Sequence, residues 1–114
     1  SKSVCLNVDT AFITAWSNDD SFDNIFTRQL EGLAQSDDIL IALSTSGNSK
    51  NIINAAKYCN DNNIKIISLT GFDGGILKNL SDININIATN STQRVQEMHI
   101  LVGHILCDIV EHSF

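Results

Sequence analysis

The sequence predicts an α/β domain built on a doubly wound parallel sheet, three layers deep as α-β-α. Two observations carry that prediction. Short β-rich apolar runs alternate with segments whose apolar residues recur at helical spacing, in the order βαβαβ(α)βα. The run Ile39-Leu-Ile-Ala-Leu43 is continuously apolar and empties into Ser44-Thr-Ser-Gly-Asn-Ser49, directly ahead of an amphipathic segment. A buried strand, a hydroxyl-rich turn and a helix N-terminus together make an anion site. Orphan backbone N–H groups and the helix dipole face the ligand there, and hydroxyls add donors. Lys and Arg are absent from the turn itself, so the cradle is neutral.

Each element follows from local chemistry. Val4-Cys-Leu-Asn-Val8 is short and β-rich, and reads as a strand. Asp9 and Thr10 can cap a short helix through Trp16, and Ser17-Asn-Asp-Asp-Ser21 is a polar turn. Phe22, Ile25, Phe26, Leu30 and Leu33 form the stripe of an amphipathic helix, which Gln35-Ser-Asp-Asp38 ends. After the hydroxyl turn, Ile52, Ile53, Ala55, Ala56 and Cys59 mark the next helix, stopped by Asn60-Asp-Asn-Asn63. Ile64 to Leu69 is a strand, Gly71 to Gly75 a flexible loop, and Ile76 to Leu80 one helical turn. Ile83-Asn-Ile-Asn-Ile87 alternates strictly, as in an edge or half-covered strand. Val95, Met98, Val102, Ile105 and Ile109, broadened by Leu101, Leu106 and Val110, predict a C-terminal helix of about five turns. Its apolar face is wider than a solvated surface helix needs, which points to burial against another subunit.

The bulk numbers set bounds. A chain of 114 residues is one domain, 1–114, short for a complete enzyme. A formal charge of −6 argues against nucleic-acid and anionic-membrane partners, so a phosphate must be held by local geometry. Three widely spaced cysteines fit a reducing cytoplasm better than a disulfide framework. No apolar run of about 18 residues and no signal-peptide pattern is present, so the expectation is a soluble cytoplasmic protein. The abrupt start at a strand edge predicts further sequence upstream.

In parallel sheets, ligands bind outside the carboxyl ends of the strands. Three hydroxyls in a row followed by Gly-Asn-Ser exceed what capping a helix requires, which favours a functional Ser44–Ser49. On residues alone Asn18 and Asp19 are an ordinary polar turn. The C-terminal helix carries Gln96, Glu97, His99 and His104. Histidines on such a flank are commonly packed and hydrogen-bonded, yet imidazole also suits proton transfer and metal ligation. Gln96 and His104 lie eight residues apart, about 12 Å along a straight helix, too far for one tetrahedral ion. If both serve one kind of site, they reach it from different subunits.

Leu43-Ser-Thr-Ser-Gly-Asn-Ser49, Ile67-Ser-Leu-Thr-Gly71 with Asp73-Gly-Gly75, and Arg94-Val-Gln-Glu-Met-His-Ile100 with His104 resemble the sugar isomerase (SIS) domain. Within it they most resemble the phosphoheptose isomerases, from about Val4 to the C-terminus. The resemblance implies a SIS-type fold and interconversion of sedoheptulose 7-phosphate with D-glycero-D-manno-heptose 7-phosphate through an enediol, for bacterial surface-glycan heptose. It implies that Ser44, Thr45, Ser46 and Ser49 hold the phosphate and that Asn18 and Asp19 contact the sugar. It further implies that Gln96 touches substrate and zinc, and that His104 is a zinc ligand and the acid/base. One zinc per subunit and a homotetramer with sites between subunits are implied with these roles. The family's upstream helix, its Gly-Asn-Gly-Gly-Ser loop and a helical His and Glu are not in these residues. Gln93 stands where many relatives carry Asp. The 114 residues alone are therefore expected to be inactive, and robust isomerisation by them would refute this. Two other classes resemble parts of the pattern: a non-enzymatic SIS tetramer of the replication-initiator-associating type, acting as a protein-binding module, and a sugar-phosphate sensor.

Overall fold

The computed structural model describes residues 2–7 and 9–113, apart from the Asp19 side chain. Helix α1 (Thr10–Asp19) leads through a 3-10 turn (Phe22–Asn24) into α2 (Ile25–Leu33). Strand β1 (Ile39–Ser44), α3 (Lys50–Asp61), β2 (Lys65–Gly71), α4 (Gly75–Leu80), β3 (Ile83–Ile87) and α5 (Thr92–Ser113) follow. The three strands pair in parallel in the order β1-β2-β3. The expected α/β sheet with parallel strands and helical layers is thus present.

Strand register decides what each face buries. Leu40, Ala42 and Ser44 lie beside Ile66, Ser68 and Thr70, and that face packs on α2, α3 and α4. Small residues on α3, Ala55, Ala56 and Cys59, let the helix approach the sheet closely, and all three are buried with Ile66. The opposite face presents Ile39, Ile41 and Leu43, all more than half exposed, and α5 meets this face at β2.

Strand β3 lies at the sheet edge, as its strict alternation predicts. Its polar half faces the α4 layer. Asn84 Nδ2 donates to Ser68 Oγ at 2.8 Å and to Thr70 Oγ1 at 3.0 Å, and Thr70 Oγ1 donates to Asn86 Oδ1 at 2.8 Å. Ser68 and Thr70 are fully buried, so these bonds satisfy hydroxyls that would otherwise cost free energy.

Four expectations are revised. Val4–Asn7 is not a strand, and Val8 lies outside the described residues. Here the Leu6 carbonyl accepts from Gln29 Nε2 at 2.9 Å instead of from a neighbouring strand. Ser17 to Asp19 continue α1 rather than forming a turn, because Asp9 caps Phe12 N and the backbone bond from Asp20 N to Trp16 O closes the last turn. Gly71 to Gly75 is a tightly packed turn, not a loose loop. Helix α5 is longer than expected, 22 residues, and is buried through Val95 and His99 while Met98, Ile105 and Ile109 face outward.

Burial also sets one titration. Desolvation raises the Cys59 thiol from its ordinary value to about 11. The unfolded thiol ionises near 9 and the folded one near 11, so the unfolded state binds fewer protons between them and stability falls as pH rises. Denaturant titrations at pH 8 and pH 10.5 should therefore show a loss of up to about 2 kcal/mol that Cys59→Ala lacks. An equal loss in both proteins would contradict that origin.

Candidate functional site

The site is built where β1 ends. The chain leaves Ser44, turns at Gly47 with φ of 71°, and enters α3 at Lys50. Ser44 is buried, and its hydroxyl is engaged inside the loop: Gly47 N donates to Ser44 Oγ at 3.1 Å, and Ser49 Oγ lies 3.1 Å away. Asn48 N donates to Ser46 Oγ at 3.1 Å. Ser46 and Ser49 are exposed and Thr45 is half-buried. Ser49 makes no side-chain cap to α3, so it does not shield that helix's N-terminal donors from an incoming anion. Lys50, the first residue of α3, is exposed, while the turn itself carries no charge.

A second loop shapes the cradle. Gly74 and Gly75 both have positive φ and pack against the hydroxyl turn. Leu77 N donates to Gly47 O at 2.9 Å, and Ile76 N donates to Asn48 Oδ1 at 3.0 Å. Asn48 thus caps the first turn of α4 from across the site, a job Gly74 has no side chain to do. A Cβ at Gly47 would stand 2.0 Å from the Gly74 carbonyl oxygen, and one at Gly75 would stand 2.5 Å from Ser46 O. The two turns fit only because both sides lack side chains.

The remaining site residues lie on other elements. Asn18 is exposed in the last turn of α1, and the Asp19 side chain lies outside the described residues. Helix α1 packs on the 3-10 turn, and Asn54 of α3 ties that turn down by donating to Asp23 O at 3.1 Å and to Asn24 Oδ1 at 3.3 Å. The α1 end is thereby referenced to the same helix whose N-terminus forms the cradle. Gln96 and His104 are both exposed on α5, and Glu97 pairs with Arg94. Among the described residues, no group of three His, Cys, Asp or Glu side chains converges as a metal site. Residues 96 and 104 remain on one continuous helix, about 12 Å apart along its axis. These residues of one copy do not by themselves fit a zinc ion.

Sequence reasoning missed two contributors, Asn54 and the Gly74-Gly75 pair. Asn54 carried no signal beyond its place on the half-buried flank of a helix. The Gly74-Gly75 pair was visible, yet only the positive φ and the close approach reveal it as a wall of the cradle. His99 is buried, and its Nε2–H donates to Thr70 O at 2.8 Å, as the packed reading of a helix-flank histidine anticipates. A groove of about 420 Å³ between Trp16, Asp20, Asn24, Thr27, Arg28 and Glu31 shares no residue with the hydroxyl turn.

Known proteins extend the likeness. The family model described as the SIS domain matches residues 20–102. A protein of Sulfurimonas denitrificans named phosphoheptose isomerase is 50% identical over 109 residues, covering 96% of this chain and 56% of that protein. Proteins of the same name from Aliarcobacter butzleri and Helicobacter pylori are 49% and 46% identical, covering 96% and 99% of this chain and 58% and 59% of theirs. The solved phosphoheptose isomerase of Neisseria gonorrhoeae superposes with a TM-score of 0.91 at 40% identity, covering 94% of this chain and 61% of that one. That of Francisella tularensis gives 0.92 at 39% identity, covering 96% and 59%. The chain spans a little over half the length of the curated relatives it matches.

Proposed function

Because the chain belongs to the SIS domain family, we propose that the complete protein is an aldose–ketose isomerase. It would convert sedoheptulose 7-phosphate to D-glycero-D-manno-heptose 7-phosphate, supplying heptose for a bacterial surface glycan. The observation that carries the reading is the hydroxyl turn at the end of β1, walled by Gly74 and Gly75 and backed by the α3 N-terminus. Its support beyond geometry is the 46–50% identity to proteins named phosphoheptose isomerase.

The division of labour follows from the chemistry of the groups. Ser46, Ser49 and Thr45 present hydroxyls, and α3 presents backbone donors, to the distal phosphate. Ser44 holds the turn from beneath as well as belonging to the proposed phosphate set. With the phosphate fixed, Asn18, Asp19 and Gln96 would orient the sugar oxygens. A base removes one C1 proton from the ketose, its electron pair forms the C1=C2 bond, and the carbonyl oxygen gains a proton. The resulting cis-enediol loses its O1 proton and gains a proton at C2, leaving the aldehyde. His104 is an imidazole exposed on α5, a side-chain type suited to moving such protons, and the resemblance assigns it that role.

A zinc ion held in part by Gln96 and His104 belongs to the same proposal, as does a cytoplasmic homotetramer. Since one copy's described donors do not fit the ion, its remaining ligands must come from outside these residues or from another copy. The exposed apolar residues Met98, Leu101, Ile105 and Ile109 on α5 support subunit contact. Among the described residues, no helix is long and apolar enough to cross a membrane.

Incubating the complete protein with sedoheptulose 7-phosphate tests the reading, with the aldose 7-phosphate followed by NMR. Turnover accompanied by bound zinc is the expected result. Sugar-phosphate binding without turnover or zinc would favour a sensor, and neither binding nor turnover would favour a protein-binding module. At the loop, Ser46→Ala should weaken sugar-phosphate binding by about 1–3 kcal/mol while leaving stability nearly unchanged, since Ser46 is exposed. Calorimetric titration reads that difference, and unchanged affinity would remove Ser46 from the phosphate set.

A further inference from the structure

We propose that His99 is a positioning residue that couples helix α5 to the hydroxyl turn through the single peptide unit joining Thr70 to Gly71. The carbonyl of that unit accepts from His99 Nε2–H at 2.8 Å, and its N–H donates to Thr45 O at 2.9 Å. One rigid, planar amide therefore connects the helix on one side with the cradle on the other. A carbonyl that accepts a hydrogen bond polarises its amide and strengthens the donor at the far end, so the two contacts reinforce each other.

Packing places α5 against the same peptide unit. Val95 lies one helical turn before His99 on the same face of α5 and is fully buried. A Cβ at Gly71 would meet the two Val95 methyls at 2.6 and 2.7 Å and Thr45 O at 2.9 Å. Val95 thus sets the height of α5 over the end of β2, and His99 sets its rotation by aiming one polar bond at one carbonyl. Gln96 and His104, exposed elsewhere on the helix, inherit their placement relative to the phosphate site from these two residues. The carbonyl can only accept, so the imidazole must carry a proton on Nε2. Of the α5 side chains, His99 is a buried polar one whose hydrogen bond reaches the sheet, which a merely packed residue would not need.

The kinetic part of this inference rests on the isomerase reading, while its structural part does not. In the complete protein, His99→Leu fills the space but removes the donor. Hydrogen exchange at the Gly71 amide should then quicken about 10-fold or more as the coupled bond to Thr45 weakens. Turnover should fall about 10- to 100-fold with KM changed less than about threefold, the signature of misplaced reacting groups over an intact phosphate anchor. His99→Gln keeps an N–H donor and should recover most of both losses. Wild-type exchange at Gly71 in the leucine variant, or an equal defect in the glutamine variant, would overturn the proposal. Should the leucine variant not fold, nitrogen-15 NMR of the wild type decides. A proton on His99 Nε2, with coupling across the bond to the Thr70 carbonyl, is expected, and a ring protonated only at Nδ1 refutes the coupling. If the wild type lacks isomerase activity, that reading fails alone, because the exchange and NMR arms need no turnover.

Discussion

Gly47→Ala should cost about 3–5 kcal/mol of stability and abolish sugar-phosphate binding. Two separate effects add. An alanine at φ of 71° sits in the left-handed region, at a cost of about 1–2 kcal/mol. Its Cβ would also stand 2.0 Å from Gly74 O and 2.6 Å from Gly74 C, both backbone atoms that no rotamer change can move aside. The turns must separate, and the bonds from Leu77 N to Gly47 O and from Ile76 N to Asn48 Oδ1 are then lost, at roughly 1 kcal/mol each. Gly32→Ala is the control. It lies in α2 with nothing within 4 Å of its added methyl, so it should stabilise by a few tenths to about 1 kcal/mol. Denaturant titration of the two variants separates the positions, and a loss under about 1 kcal/mol at Gly47 would contradict the packing argument.

His104→Ala in the complete protein should lower turnover by a factor of about 10² to 10⁴, the usual worth of a positioned acid/base. Stability should change by no more than about 0.5 kcal/mol, because His104 is exposed and packs against nothing that its loss would leave open. Affinity for the sugar phosphate should survive, since the proposed phosphate anchor lies on β1 and α3 rather than on α5. Steady-state kinetics beside calorimetry reads both quantities. Normal turnover would remove His104 from proton transfer, whereas equal losses of binding and turnover would make it part of the anchor.

Much of the architecture was legible because hydrophobic period and turn chemistry agree along most of the chain. The strand Ile39–Leu43, the helix carrying Ala55, Ala56 and Cys59, and the alternating Ile83–Ile87 each fall where their patterns place them. The failures have physical causes. Val4–Asn7 has strand composition, but a strand exists only if another strand pairs with it, and the composition of one segment cannot supply that partner. The alternation of β3 marked it as an edge or half-covered strand, and it does lie at the sheet edge, but which half meets the helices was not legible. In the fold the polar half meets Ser68 and Thr70, and four side chains satisfy one another on the helix-covered face. Helix α5 shows the same limit from the other direction. Its stripe pointed to burial against another subunit; within one copy Val95 is buried, Met98, Ile105 and Ile109 are open, and His99 takes a buried place the stripe did not include.

At the site, the hydroxyl turn was legible and its walls were not. Three hydroxyls ahead of a helix point to the proposed anion site by chemistry alone, but the fit of Gly47 against Gly74 depends on two loops 27 residues apart in sequence meeting in space. Gln96 and His104, the proposed zinc ligands, lie on one helix, and among the described residues no group of three His, Cys, Asp or Glu side chains converges with them.

The claim on which the account turns is that this cradle reads the phosphate. Comparing the affinity of the complete protein for sedoheptulose 7-phosphate with that for unphosphorylated sedoheptulose tests it directly by calorimetry. Two or more charge-assisted hydrogen bonds to the phosphate predict a preference of about 100-fold or greater for the phosphorylated sugar. Equal affinity for the two sugars would contradict the account.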